Sequence, residues 1–166
     1  MKQLALTLIA VTGCSSEAEI GIDSQPVTCL DLNTATASGS VRSDIDDENY
    51  AFRDVSASMV ASNPDSPTFP VLIANNQMRL GLWFCGLSRP GTIELGDHAV
   101  EGVTAQRSCP SPIVNASMVG SVLEFRDAED GLVIVDETQN CFAGRYAVDF
   151  GANGSVAGTF SVAWAQ

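Results

Sequence analysis

Apolar and polar side chains alternate at every second position through much of this chain, and the alternation predicts strands. Over residues 77–85, Met78, Leu80, Leu82 and Phe84 fall on one face and Arg79, Gly81, Trp83 and Cys85 on the other, the period of a half-buried strand. Residues 70–74 form the strand before it, split from it by Asn75-Asn76, a pair that tolerates the left-handed backbone of a tight hairpin. The final hairpin is clearer still. Tyr146, Val148 and Phe150 share a face, Gly151-Ala152-Asn153-Gly154 turns the chain, and Val156, Gly158, Phe160, Val162 and Trp164 share a face on the return. Further strands are expected at residues 27–32, 34–41, 50–61, 91–95, 114–126 and 132–135, with Val119, Leu123 and Phe125 on one face of the fifth. Turns are expected at the carboxylate-rich residues 43–49, at Asn63-Pro64-Asp65-Ser66-Pro67, at the cysteine- and proline-containing residues 107–112, and at Asp127-Ala128-Glu129-Asp130-Gly131. No window shows an apolar stripe at helical spacing. The fold class is therefore all-β, a single antiparallel domain of about eight to ten strands in a β-sandwich, the commoner arrangement, or a barrel-like form.

The alternation starts only after a different kind of segment. Residues 1–13 give Lys2, an apolar run from Leu4 to Val11, and then Val11-Thr12-Gly13-Cys14. Eight apolar residues span roughly 12 Å as a helix, far less than the ~30 Å hydrocarbon core, so the run reads as the apolar region of a signal peptide. Its ending resembles a bacterial lipobox. That resemblance implies cleavage before Cys14, diacylation of the Cys14 sulfur, and an outer-membrane lipoprotein, since Ser15 rather than Asp follows the cysteine. Two or three acyl chains anchor a protein stably, at ~0.8 kcal/mol per buried methylene. Residues 1–13 are then the signal peptide, residues 14–25 the lipidated N-terminus and a polar tether, and residues 26–166 the all-β domain.

Charge narrows the partners. Without residues 1–13 the chain keeps seven arginines and no lysine against twenty acidic residues, a formal charge of −13. Such a surface is a poor match for nucleic acid, whose binding depends on neutralising phosphates with Lys and Arg. With Cys14 assigned to lipid, four of the five cysteines remain. In an oxidising envelope four cysteines can form two disulfides in three ways. The expected pairs are Cys85 with Cys109, closing a Pro/Gly-containing connection, and Cys29 with Cys141, tying an early strand to a late one. A zinc site is disfavoured, because there is no CxxC pair and only one histidine.

Several short stretches resemble a group of small uncharacterised lipoproteins of Gram-negative bacteria: Ser38-Gly39-Ser40-Val41, Phe52-Arg53-Asp54-Val55, the strand ending at Cys85, and Gly144-Arg145-Tyr146-Ala147-Val148-Asp149-Phe150 with Gly158-Thr159-Phe160. The resemblance covers most of the mature chain. It implies a fold and a location, and carries no activity or binding residue with it.

Catalytic chemistry has few candidates. His98 is the sole histidine and no GxSxG elbow exists to partner it. Asp44, Asp46 and Glu48, with Asp47 among them, are the candidate calcium ligands. Counted from Asp44, however, the sixth and twelfth positions of an EF-hand loop are Asn49 and Val55, so a solvated acidic turn is the better reading. Asp149, Gly151 and Asn153 likewise read as a hairpin turn. Trp83 and Trp164 would suit a carbohydrate platform, although aromatic residues on strands usually belong to a core. The sequence thus points to a non-enzymatic envelope module without cofactor, held at the membrane through Cys14, with a protein or glycan ligand. The alternatives are a periplasmic binder or inhibitor of a basic protein, and a small carboxylate-based hydrolase.

Overall fold

A computed structural model describes residues 21–60, 68–86, 89–95 and 113–164. Cys14, His98 and Cys109 lie outside the described residues. Within them the chain forms strands β1 (Thr34–Arg42), β2 (Asn49–Ala51), β3 (Ser56–Met59), β4 (Thr68–Ala74), β5 (Met78–Cys85), β6 (Gly91–Glu94), β7 (Ile113–Gly120), β8 (Leu123–Asp127), β9 (Asp130–Glu137), β10 (Phe142–Asp149) and β11 (Gly154–Val162). The one helical element among the described residues is a single 3-10 turn, Gly151–Asn153.

All pairings are antiparallel, in the order β6-β9-β10-β11-β1-β3-β4-β5-β7-β8, with β2 paired to the end of β1. This is one curled antiparallel sheet, a half-barrel consistent with the single β-sandwich or barrel-like domain that the sequence led us to expect. The curl follows from a short connection. Strands β8 and β9 stand far apart in the sheet order, yet only Ala128 and Glu129 join them. Three peptide steps reach ~11 Å at most, which forces the two ends of the sheet to approach. The link is stitched to both sides: Ala128 N donates to Ala116 O on β7 and Glu129 N to Asp149 O on β10.

Period-2 alternation places one face of each strand inside the curl. Leu80, Leu82 and Phe84 on β5, Tyr146 and Val148 on β10, and Val156, Phe160 and Val162 on β11 are all fully buried. The interior is filled by side chains, with Phe84 and Phe142 packed edge to face at 4.8 Å and Phe69 stacked on Phe84 at 5.5 Å. The polar end of Tyr146 is satisfied within the core, its hydroxyl donating to Thr36 O at 3.1 Å. Burial pushes its ionisation well above the usual tyrosine range.

Three local expectations are corrected. Residues 27–32 form bends and turns rather than a strand, because their backbone is tied to side chains and to a disulfide instead of a ladder. The stretch 114–126 is two strands: the chain reverses after Gly120, with a register shift between Met118 and Gly120. Val119 lies on the exposed face of β7, and the register shift, which sets three steps of β8 from Leu123 to Arg126 against two of β7, leaves Leu123 buried while Phe125 is exposed. The stretch 50–61 likewise divides into β2 and β3.

Candidate functional site

The most constructed feature outside the core is the attachment of the N-terminal segment to the barrel wall. Strand β10 is buried on both faces: inward Phe142, Tyr146 and Val148, and also outward Ala143, Arg145 and Ala147. Residues 21–29 are fastened over that outward face. Arg145 holds Asp136 on the neighbouring β9 through two parallel bonds, Nε to Oδ2 at 3.0 Å and Nη2 to Oδ1 at 2.8 Å, and donates from Nη1 to Asp23 O at 2.6 Å. Asp136 Oδ2 in turn accepts from Val27 N at 3.0 Å. The two side chains are 11% and 8% exposed, so little solvent screens them. The bond to Asp136 raises the Arg145 ionisation further above its usual value.

Beyond this clip, Cys29 is disulfide-bonded to Cys141 at the start of β10, as the sequence suggested. Cys85 is also disulfide-bonded; its expected partner, Cys109, lies outside the described residues. Sequence reasoning did not single out Arg145 and Asp136 as a pair. An arginine in a mostly apolar strand, nine positions after an aspartate in the preceding one, is the sequence signal for the pair.

The acidic residues 43–48 follow β1 and do not converge. Asp44 turns to Arg126 on β8. Asp47 makes two bonds to Arg42, both 2.7 Å. Asp46 accepts from the Tyr50 hydroxyl at 2.5 Å and from Glu48 N at 3.2 Å. No group of three or more potential metal-ligating side chains is found among the described residues, and Asp44, Asp46 and Glu48 are not brought together as a calcium set. The loop is instead held by arginines, a phenol and its own backbone. The Tyr50 hydroxyl, followed by Ser43, holds the Asp46 carboxyl below the usual aspartate range, and Arg42 does the same for Asp47. In an NMR titration the Asp46 midpoint is therefore expected to lie below the ordinary value. It should move up in Tyr50→Phe while that of Asp47 stays put. An unchanged Asp46 midpoint in that variant would refute the assignment. Any stability linked to these carboxylates is present above the unfolded-state aspartate value and is lost as pH falls through the lower folded values.

Next to this loop lies an open polar groove of about 410 Å³, lined by Asn49, Tyr50, Ala51, Arg53 and Asp54 on one side and by Asn75, Asn76 and Gln77 on the other. The hairpin tip that the sequence read as a turn is thus one wall of it. Asn75 builds that wall: its Oδ1 accepts from Gln77 N and Met78 N, and its Nδ2 donates to Arg53 O across the groove. Asp54 has φ 53°, a left-handed conformation that aspartate tolerates better than most residues. Amides, a guanidinium, a carboxylate and an aromatic ring in one groove suit a ligand rich in hydroxyl or amide groups.

The two tryptophans do not form one platform. Trp83 points outward on β5 and lies across Gly81. Trp164 packs on Phe69 and Phe142, with ring centroids 5.7 and 5.4 Å away. Comparison with family models, curated proteins and solved structures gives no match.

Proposed function

We propose that this chain is an outer-membrane lipoprotein anchored through lipid on Cys14, whose curled β-sheet domain serves as a non-catalytic binding module of the cell envelope. The observation that carries the reading is the clip on β10. Asp23 and Val27, between Cys14 and the barrel, are bonded to a buried Arg145–Asp136 pair, and the Cys29–Cys141 disulfide follows directly. A segment that merely led into the domain would need no such fastening. In a tethered protein, the clip passes any pull on the N-terminus into β10, which is paired on both sides by β9 and β11, before it reaches β1. The lipobox-like Val11-Thr12-Gly13-Cys14 and the disulfide-compatible cysteines agree with that location, and the polar groove beside the acidic loop provides a surface for a glycan or peptide ligand.

Expression of Cys14→Ala tests the anchor. The native chain is expected in the outer-membrane fraction, with a mass showing cleavage before Cys14 and added acyl groups. The variant is expected to lose both the acyl mass and membrane retention. A native chain without acyl mass, or a variant retained in the membrane, would overturn the proposal.

A further inference from the structure

We infer that the end of the barrel bearing Leu30, Leu32 and Trp164 rests on the membrane surface, an orientation that itself depends on the lipid anchor proposed above. Large apolar side chains are exposed here on a turn that is rigidly held. Leu30 is 88% exposed, Leu32 46% and Trp164 38%. Their turn is fixed at one side by the Cys29–Cys141 disulfide and within by Thr34 Oγ1 donating to Asp31 O at 2.8 Å. It is joined to the end of β11 by Ala163 N donating to Asn33 Oδ1 at 3.3 Å, which sets the leucines beside Trp164. Two aliphatic side chains next to an indole, half in and half out of the protein, match the composition that settles at a lipid–water boundary.

Charge makes the lipid surface the occupant and fixes which way the molecule points. The turn precedes Thr34 and the acidic loop follows Arg42, at opposite ends of β1. Eight residue steps of about 3.3 Å put roughly 26 Å between them. Asp44, Asp46, Asp47 and Glu48 are thereby carried away from headgroups when the leucines face them, and toward headgroups in the reverse orientation. The polar groove, lined by β2 at the acidic end, then faces away from the lipid. The seven residue steps from Cys14 to Gly21 reach ~25 Å at most. Gly21 lies beside Thr36 and Ser38, so that reach covers the distance back to the level of the turn. Since Asp31 stands between the leucines and no lysine remains in the mature chain, the surface suits zwitterionic lipid.

The test uses the full lipidated chain carrying Trp83→Phe, which leaves Trp164 as its one tryptophan, in phosphatidylcholine vesicles brominated near the top of the acyl chains. Trp164 emission is expected to be quenched relative to unbrominated vesicles. Leu30→Ser with Leu32→Ser should relieve the quenching while the protein stays on the vesicles, and added anionic lipid should weaken it. A lipidated, vesicle-bound chain whose Trp164 is not quenched overturns the orientation and leaves the anchor intact. A chain with no lipid on Cys14 overturns the anchor, and the orientation with it.

Discussion

Replacing Cys29 and Cys141 together by serine is expected to lower the unfolding free energy by about 4 to 5 kcal/mol. The bond joins residues separated by 112 positions, so without it the unfolded chain regains the freedom of nearly the whole domain. For a loop of roughly that length the chain-entropy model gives about 4.7 kcal/mol. A domain of this size is stable by only about 5 to 15 kcal/mol, and the loss removes a large part of that. The folded state changes too, because Cys141 is fully buried at the start of β10 and its partner fixes the turn before β1. Urea denaturation of the native and doubly substituted chains, followed by tryptophan emission, measures the difference. A change below about 1 kcal/mol would mean that the unfolded chain stays compact without the bond.

Arg145→Ala is expected to cost about 3 to 5 kcal/mol, because it strands the Asp136 carboxylate in a buried site with no opposing charge. The pair is dry enough for this to hold, both side chains being about nine-tenths covered. Replacing both partners with apolar residues, Arg145→Met with Asp136→Leu, should cost much less, since no charge is then left unpaired. The double variant separates the two roles of the pair. Global stability should be largely recovered, while Asp23 O and Val27 N lose their partners. Hydrogen exchange at the Val27 amide is therefore expected to accelerate even where the barrel amides stay protected. Equal destabilisation by the single and double changes would show that the pair does not act as a buried ion pair.

The degree to which the structure could be read from the sequence varied with the range of the forces involved. Strands β5 and β11 are legible because one face of each is apolar at every second position over seven residues, and β10 because Tyr146 and Val148 keep that period although its outward face is buried as well. Strands β7 and β8 were merged, since the reversal after Gly120 leaves apolar residues on both sides of the turn and no proline or Asn-Gly pair marks it. Residues 27–32 read as a strand in the sequence because Leu30 and Leu32 are apolar, whereas the chain there forms a turn. Their exposure comes from a backbone committed to a disulfide and to side-chain bonds. In the candidate groove, Asn75-Asn76 was legible as a hairpin tip, but its opposite wall, Arg53 and Asp54, comes from another part of the chain.

By itself the sequence determined the all-β class, the inward faces of the best strands and the acidic character of the surface, and it left three disulfide pairings open. These follow from local periodicity, residue chemistry and counting. Tertiary structure alone decided which strands are neighbours, that the sheet curls, and what the polar residues do. Pairing of β1 with β11 joins residues more than a hundred positions apart, and no local pattern specifies it. Gly158 shows the reason at one position. Its φ is ordinary, yet a Cβ there would run into Thr36 O and crowd the Tyr146 hydroxyl, so its smallness is required only because those particular strands meet. The Arg145–Asp136 pair obeys the same rule: an arginine among mostly apolar neighbours marks the place, and it becomes a clip only when β9, β10 and the N-terminal segment are laid together.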